Sequence, residues 1–167
     1  NIFDDYESNR QEGENDSYIC SLIRQDSIVE FVQYVNQMNY PLSSQIPPSL
    51  FEANSFLIEN ENTTLIEYSV FFCSIQIFWY LMLNKVDLKP SLWLYAIHSK
   101  NAELIHILES KLKSPKKEEN DKNFLRLLIE SIKCHYNDFA DYFANNFIFL
   151  DENDSKQKDE ILSCSIK

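Results

Sequence analysis

The sequence predicts an all-α fold, a row of short helical hairpins stacked side by side with one helix inserted between them. Three observations predict it. The stretch 64–109 holds one helix–break–helix pattern twice: LIEYSVFF, a break at Cys73-Ser74 and IQIFWYLM, then LWLYAIHS, a break at Lys100-Asn101 and AELIHILE. Superposing Ser69 on Ala96 lays Ile66 on Trp93, Val70 on Ile97, Ile77 on Leu104 and Leu81 on Leu108. The pattern also recurs on both sides of that stretch. Two short helices with matched apolar faces cannot bury those faces alone, so each hairpin needs a copy beside it.

In chain order, residues 1–15 carry no periodic apolar pattern and are expected to form a flexible lead-in. The first unit, near 16–38, reads Ser17 as a helix cap, then YICSLI, a break around Arg24-Gln25 and SIVEFVQYV. Laying Cys20 on Ala96 places Ile28, Val29, Phe31 and Val32 on Leu104, Ile105, Ile107 and Leu108. An insertion follows at 39–62. Its prolines Pro41, Pro47 and Pro48 end the preceding helix near Met38, because proline cannot sit in a helix interior. PSLFEANSFL, starting at Pro48, echoes PSLW at Pro90, so a helix opened by proline is expected in both places.

Units near 64–84 and 91–111 are the two copies already described, and the charged connector SKLKSPKKEENDKN leads onward. The unit near 123–146 reads FLRLLIESIK, a break at His135-Tyr136 and NDFADYFANNF, with Ser131 over Ala96, Phe139 on Leu104 and Phe143 on Leu108. A partial unit at 158–167 places Ser165 over Ser131. Residues 16–167 thus read as a single array. The chain opens without methionine and stops in mid-pattern, so the array is expected to continue beyond Lys167.

The composition narrows the function. A net charge of −11 argues against non-specific binding to nucleic acid or anionic lipid, since both reward a basic surface. The acidic runs at 4–16 and 151–160 read as solvated segments. Residues 65–83 are apolar enough to suggest a membrane span, but Glu67, Ser69, Ser74 and Gln76 interrupt them, and charge at membrane depth is expensive. Cys20, Cys73, Cys134 and Cys164 lack zinc or redox spacing, which makes reduced thiols in a cytoplasmic setting the default.

Catalysis finds little support. No glycine-rich phosphate loop exists, because Gly13 is the chain's single glycine. Cys134 and His135 are adjacent, but neighbouring helical residues point about 100° apart and cannot form a nucleophile–base pair. His98 and His106 flank one break without a clustered ligand set. The acidic pairs Glu118-Glu119 and Asp151-Glu152 lie in polar loops. No catalytic residue, cofactor or metal is expected.

Thr64-Leu65-Ile66 through Ser69, the break at Cys73, IQIFWYL and then 84–88 resemble one ankyrin repeat. IEYSVFFCSIQIFWYL followed by PSLWLYAIHSKN resembles the divergent ankyrin-type repeats of large protist protein families, in which an uncharacterised domain often precedes the recognisable repeats. The resemblance covers 18–167. It implies a helical-hairpin solenoid of ankyrin type, with shortened or missing β-hairpins and an inserted helix. Several family residues differ here. The histidine is replaced by Glu67 and Leu94, removing groups expected to tie one repeat's turn to the next. Glycines give way to Cys73, Lys100, His135 and Lys85, so left-handed backbone is expected to be strained or avoided.

The resemblance also implies a function: a rigid, non-enzymatic module that binds a protein partner on its concave side. The family's variable contact positions fall on Leu22 and Ile23, Phe71 and Phe72, His98 and Ser99, and Lys133 and Cys134. The apolar four among them are either a partner-binding patch or core covered by Leu50, Phe51, Phe56 and Leu57 of the insertion. Trp79 and Trp93 read as core. A structural subunit of a large assembly, or a regulatory domain attached to an enzyme beyond residue 167, are the alternative functions.

Overall fold

A helical chain with one glycine must find other ways to end its helices, and the computed structural model shows how it does so. The structure describes residues 2–112 and 121–147. Their helices are α1 (Ile2–Glu12), α2 (Tyr18–Arg24), α3 (Ile28–Gln37), α4 (Ser55–Glu59), α5 (Leu65–Phe71), α6 (Ile75–Leu83), α7 (Leu92–Ser99), α8 (Ala102–Lys111), α9 (Asp121–Lys133) and α10 (Asn137–Phe147). Among the described residues, β-pairing is limited to one antiparallel bridge between Gln45 and Thr64. The chain forms two compact units, one ending at Leu88 and the other starting at Lys89. The partial unit at 158–167, with Ser165 and Cys164, lies outside the described residues, as do the acidic run 151–160 and the side chain of Phe143.

The pairs α2/α3, α5/α6, α7/α8 and α9/α10 are the expected hairpins. Each break contains one residue in the left-handed region: Asp26 (φ 49°), Cys73 (58°), Lys100 (50°) and His135 (52°). In three hairpins the next amide reaches back to a carbonyl five residues earlier, Ser27 to Leu22, Ser74 to Ser69 and Tyr136 to Ser131, at 2.8–3.0 Å. This closure satisfies carbonyls that a helix end otherwise leaves orphaned. Of the two expectations for left-handed positions, strained or avoided, the chain takes the first. The chain accepts about 1–2 kcal/mol of strain at each such residue, because only that geometry folds the second helix back against the first.

The matched apolar positions are buried as the superposition requires: Ile66 and Trp93, Val70 and Ile97, Ile77 and Leu104, Leu81 and Leu108. Ser69, Ala96 and Ser131 are fully buried, each four residues before the left-handed residue of its own break. Ser69 and Ser131 return their hydroxyls to carbonyls of their own helices, at 2.8 and 2.7 Å. The first hairpin departs from the expected register. Its left-handed residue is Asp26, so Leu22 rather than Cys20 occupies the anchor position. Val29, expected inside, is 62% exposed, while Phe31 and Val35 point inward. YICSLI is apolar nearly all round, which hides a two-residue slip from periodicity alone.

In the first unit α2 packs on α5 and α3 on α6, and polar bonds tie the two hairpins turn to turn. The Asp26 carboxylate accepts from the amides of Gln76 and Ile77, both at 3.0 Å, and so caps α6 from another hairpin. Ser74 Oγ donates to the Ile23 carbonyl. The tie expected to vanish with the family's histidine is thus made by other residues. Glu67 instead forms a capping box with Thr64: its carboxylate accepts from the Thr64 amide at 2.8 Å, and its own amide donates to Thr64 Oγ1 at 3.4 Å.

The insertion is closed at its base, where Ile46 donates to the Thr63 carbonyl and Leu65 to the Ser44 carbonyl. Its helix α4 does not start at Pro48 as expected. It starts after Asn54, whose side chain accepts from the amides of Phe56 and Leu57. The segment 1–15 was read as a flexible lead-in; its described residues, 2–15, contain α1 and dock through polar groups and through the Tyr6 ring, which packs on Phe51. Gly13 ends α1 with φ 65°, its carbonyl accepts from Ala53, and an added Cβ would meet the Ala53 Cβ at 3.1 Å. Asn15, 1% exposed, donates to the Pro47 carbonyl, and its own carbonyl accepts from Arg24. Arg24 also donates to the hydroxyl of fully buried Tyr68 and pairs with Glu14 at 2.7 Å.

In the second unit α7 packs on α8 and α9, and α9 on α10. Pro90 precedes α7 as expected, and α9 begins at Asp121, inside the segment read as a charged connector. Trp93 is buried and stacks on Phe139 at 6.3 Å, whereas Trp79 is only half-buried.

Two outcomes follow from these contacts. Lys85→Gly and Lys100→Gly, at exposed left-handed positions, should each raise unfolding stability by roughly 0.5–1 kcal/mol, and Gly13→Ala should lower it by about as much. Denaturant titration checks both signs. Burial pushes the Cys20 thiol up to about 11 and raises the Tyr68 hydroxyl as well. A raised acid favours the folded state fully below its unfolded pKa, near 9.0 for the thiol, and that advantage is lost as pH climbs to the folded value. The fold should therefore weaken between pH 9 and 11 by roughly 2 kcal/mol, and Cys20→Ala should flatten that part of the profile.

Candidate functional site

The hairpin geometry decides which of the eight expected contact residues can meet a partner. Leu22 (4% exposed) and Ile23 (0%) are core, the second of the two readings given for them, and this corrects their place among the expected contact residues. The register slip explains it. Counted from Leu22 as the anchor, the contact positions of the first hairpin are Arg24 and Gln25, and Arg24 is engaged by Asn15, Tyr68 and Glu14.

Phe71 and Phe72 lie at the C-terminal end of α5 and are half-buried. Their rings meet edge to face with centroids 5.0 Å apart, Phe72 leans on Tyr68 at 4.7 Å, and Phe56 of α4 stacks on Phe71 at 5.8 Å. The inserted helix thus supports one side of the pair. Phe56 and Leu57 are buried, whereas Leu50 is 98% exposed and Phe51 packs on Tyr6. A cleft of about 510 Å³ opens nearby in the same unit, lined by Asn15, Pro47, Glu52, Leu57 and Asn60 among others.

The second unit brings three of its four expected residues together and adds one that the sequence reading missed. His98 stands near the end of α7, and Lys133 and Cys134 at the end of α9. Glu130 joins them. His98 Nε2 donates to Glu130 Oε1 at 3.0 Å, and Lys133 Nζ donates to Glu130 Oε2 at 3.4 Å. Cys134 Sγ lies 3.5 Å from His98 Nδ1 and 3.7 Å from Nε2. Ser99 stays apart, its hydroxyl donating to the Ala96 carbonyl and accepting from Asn101. The visible signal was the four-residue spacing of Glu130 and Cys134, which puts both on one helix face. Their partner belongs to the preceding hairpin, beyond the reach of local spacing.

The electrostatics of this group are uneven. The hydrogen bond from His98 holds the Glu130 carboxyl below the usual glutamate range, against the opposing effect of burial and with help from Lys133. Burial first, and then the charge of Glu130, push the Cys134 thiol up to about 11. A thiol so placed stays protonated at neutral pH and is a weak nucleophile. The sulfur lies at nearly equal distances from the two ring nitrogens of His98. His106 pairs with Glu109 at the surface, where such contacts contribute little.

The fold and the site define an all-helical protein of repeated helical hairpins. No known protein family, no curated protein and no solved structure matches the chain.

Glu130→Ala removes the acceptor for both His98 and Lys133 and should destabilise the protein by roughly 1–2 kcal/mol, whereas Lys133→Ala at the exposed end should stay within about 0.5 kcal/mol. Equal losses for the two variants would show that Glu130 has no special place in the cluster.

Proposed function

We propose that this chain is a non-enzymatic module that binds another protein, built from helical-hairpin repeats of ankyrin type. The observation that carries this reading is the pair Phe71 and Phe72. They stand at the end of a first helix, where repeat proteins of that type meet their partners, and they keep part of their rings in solvent. The pair is braced by Phe56 and Tyr68, so its shape exists before a partner arrives and little ordering cost attends binding. Half-exposed aromatic anchors on a rigid support are the usual centres of interface energy.

The acidic balance supports a protein partner over nucleic acid or anionic membrane. Among the described residues no helix is long and apolar enough to cross a membrane. The cytoplasm is the setting this reading assigns. A second reading, a subunit held within a larger assembly, draws on Val29, Met38, Leu50 and Leu83, large apolar residues more than half exposed and distributed over several segments.

Phe71→Asp and Phe72→Asp should keep the helical circular dichroism and lose the proteins that the wild-type chain captures from a lysate, as read by mass spectrometry. Leu22→Asp, in the core, should unfold. Unfolded Phe71 and Phe72 variants, or an unchanged captured set, would overturn the reading. Light scattering separates the second reading, which predicts self-association or insolubility of the isolated chain.

A further inference from the structure

We propose that His98, Glu130 and Cys134 form a binding site for a divalent transition-metal ion of the zinc class. The donors are an imidazole, a carboxylate and a thiol, the mixture zinc accepts, and three protein ligands leave a fourth position for water. Two of them share a face of α9, and the third comes from α7, which packs against it. The ligand frame is therefore set by two packed helices.

The distances fit an ion without moving either helix. One donor atom from each residue lies within 4.8 Å of the others, with nitrogen to oxygen at 3.0 Å and sulfur to nitrogen at 3.5–3.7 Å. Zinc bonds of about 2.3 Å to sulfur and about 2.0 Å to nitrogen, opened to a tetrahedral angle, separate those two ligands by roughly 3.5 Å. Coordination replaces the hydrogen bond from His98 to Glu130, with the ring proton passing from Nε2 to Nδ1, forms a sulfur–metal bond and releases the thiol proton to solvent. Lys133, 54% exposed, holds Glu130 Oε2 and leaves Oε1 toward the site. The side chains of His98 and Glu130 are 16% and 13% exposed, so the site is shielded but open to an entering ion.

The fold gives the ion a role. It would clamp α7 of one hairpin to α9 of the next, within a unit whose hairpins already meet through those helices. This site is separate from the aromatic pair of the first unit, and its test does not depend on a protein partner.

The test titrates the full chain, freed of metal, with cobalt(II) as a spectroscopic substitute for zinc, and then with zinc against a chromogenic chelator. One equivalent should bind, with thiolate-to-cobalt charge transfer and the visible bands of a tetrahedral site. Cys134→Ser should remove the charge transfer, and His98→Gln and Glu130→Gln should weaken zinc binding at least about tenfold. Cys73→Ser should change neither. Circular dichroism of each metal-free variant separates lost ligation from lost fold. If Cys134→Ser unfolds, Glu130→Gln decides, because unchanged zinc affinity there overturns the proposal. Absence of a thiolate band, or its persistence in Cys134→Ser, overturns it as well.

Discussion

A helix of seven to ten residues has almost as many orphaned backbone groups as paired ones, and this protein is built mainly from such helices. The structure depends on finding acceptors for the amides at their starts and donors for the carbonyls at their ends. Neighbouring segments supply many of them. Asp26 serves α6 from another hairpin, Asn54 serves α4, Asn101 serves α8, and Thr64 with Glu67 serves α5. At the other end, the left-handed residue of three of the four breaks turns the next amide back onto a carbonyl of the helix just finished, and after Lys100 the amide of Asn101 meets the Ser99 hydroxyl instead. Burial of the apolar faces provides the driving force. The polar closures decide where each helix stops, and so where each face points.

That division explains what could be read from residue order alone. Ser69, Ala96 and Ser131 were recognisable because a small residue at a close helix contact leaves room that large neighbours fill, and the apolar positions around them repeat in register. The two-helix unit, its breaks and most of its buried positions were legible for that reason. The first hairpin was misplaced by two residues because its helix is apolar on nearly every side, and only the backbone at Asp26 fixes the turn. Docking of 2–15 was invisible, since it rests on the single ring of Tyr6 and on the hydrogen bonds and charge of Gly13, Glu14 and Asn15, which leave no periodicity.

The candidate sites divide along the same line. Phe71 and Phe72 could be named from their place at the end of a first helix, but their partial exposure depends on how far α4 reaches over them. His98 and Cys134 were named singly. Glu130 was missed, because the cluster exists only when the first helix of one hairpin lies against the first helix of the next. The His98, Glu130 and Cys134 cluster thus follows from the stacking of two hairpins, whereas the aromatic pair is braced by the inserted helix and by its own helix.

Amide hydrogen exchange at Gln76 and Ile77 tests this account most directly. Both amides lie in the first turn of α6, where no acceptor exists within the helix. If the Asp26 carboxylate caps them, they should exchange as slowly as amides in the middle of α6, and Asp26→Ala should release these two selectively by about tenfold or more. Exchange of Gln76 and Ile77 at the rate of an open peptide in the unaltered protein would contradict the turn-to-turn tie on which the stacked hairpins rest.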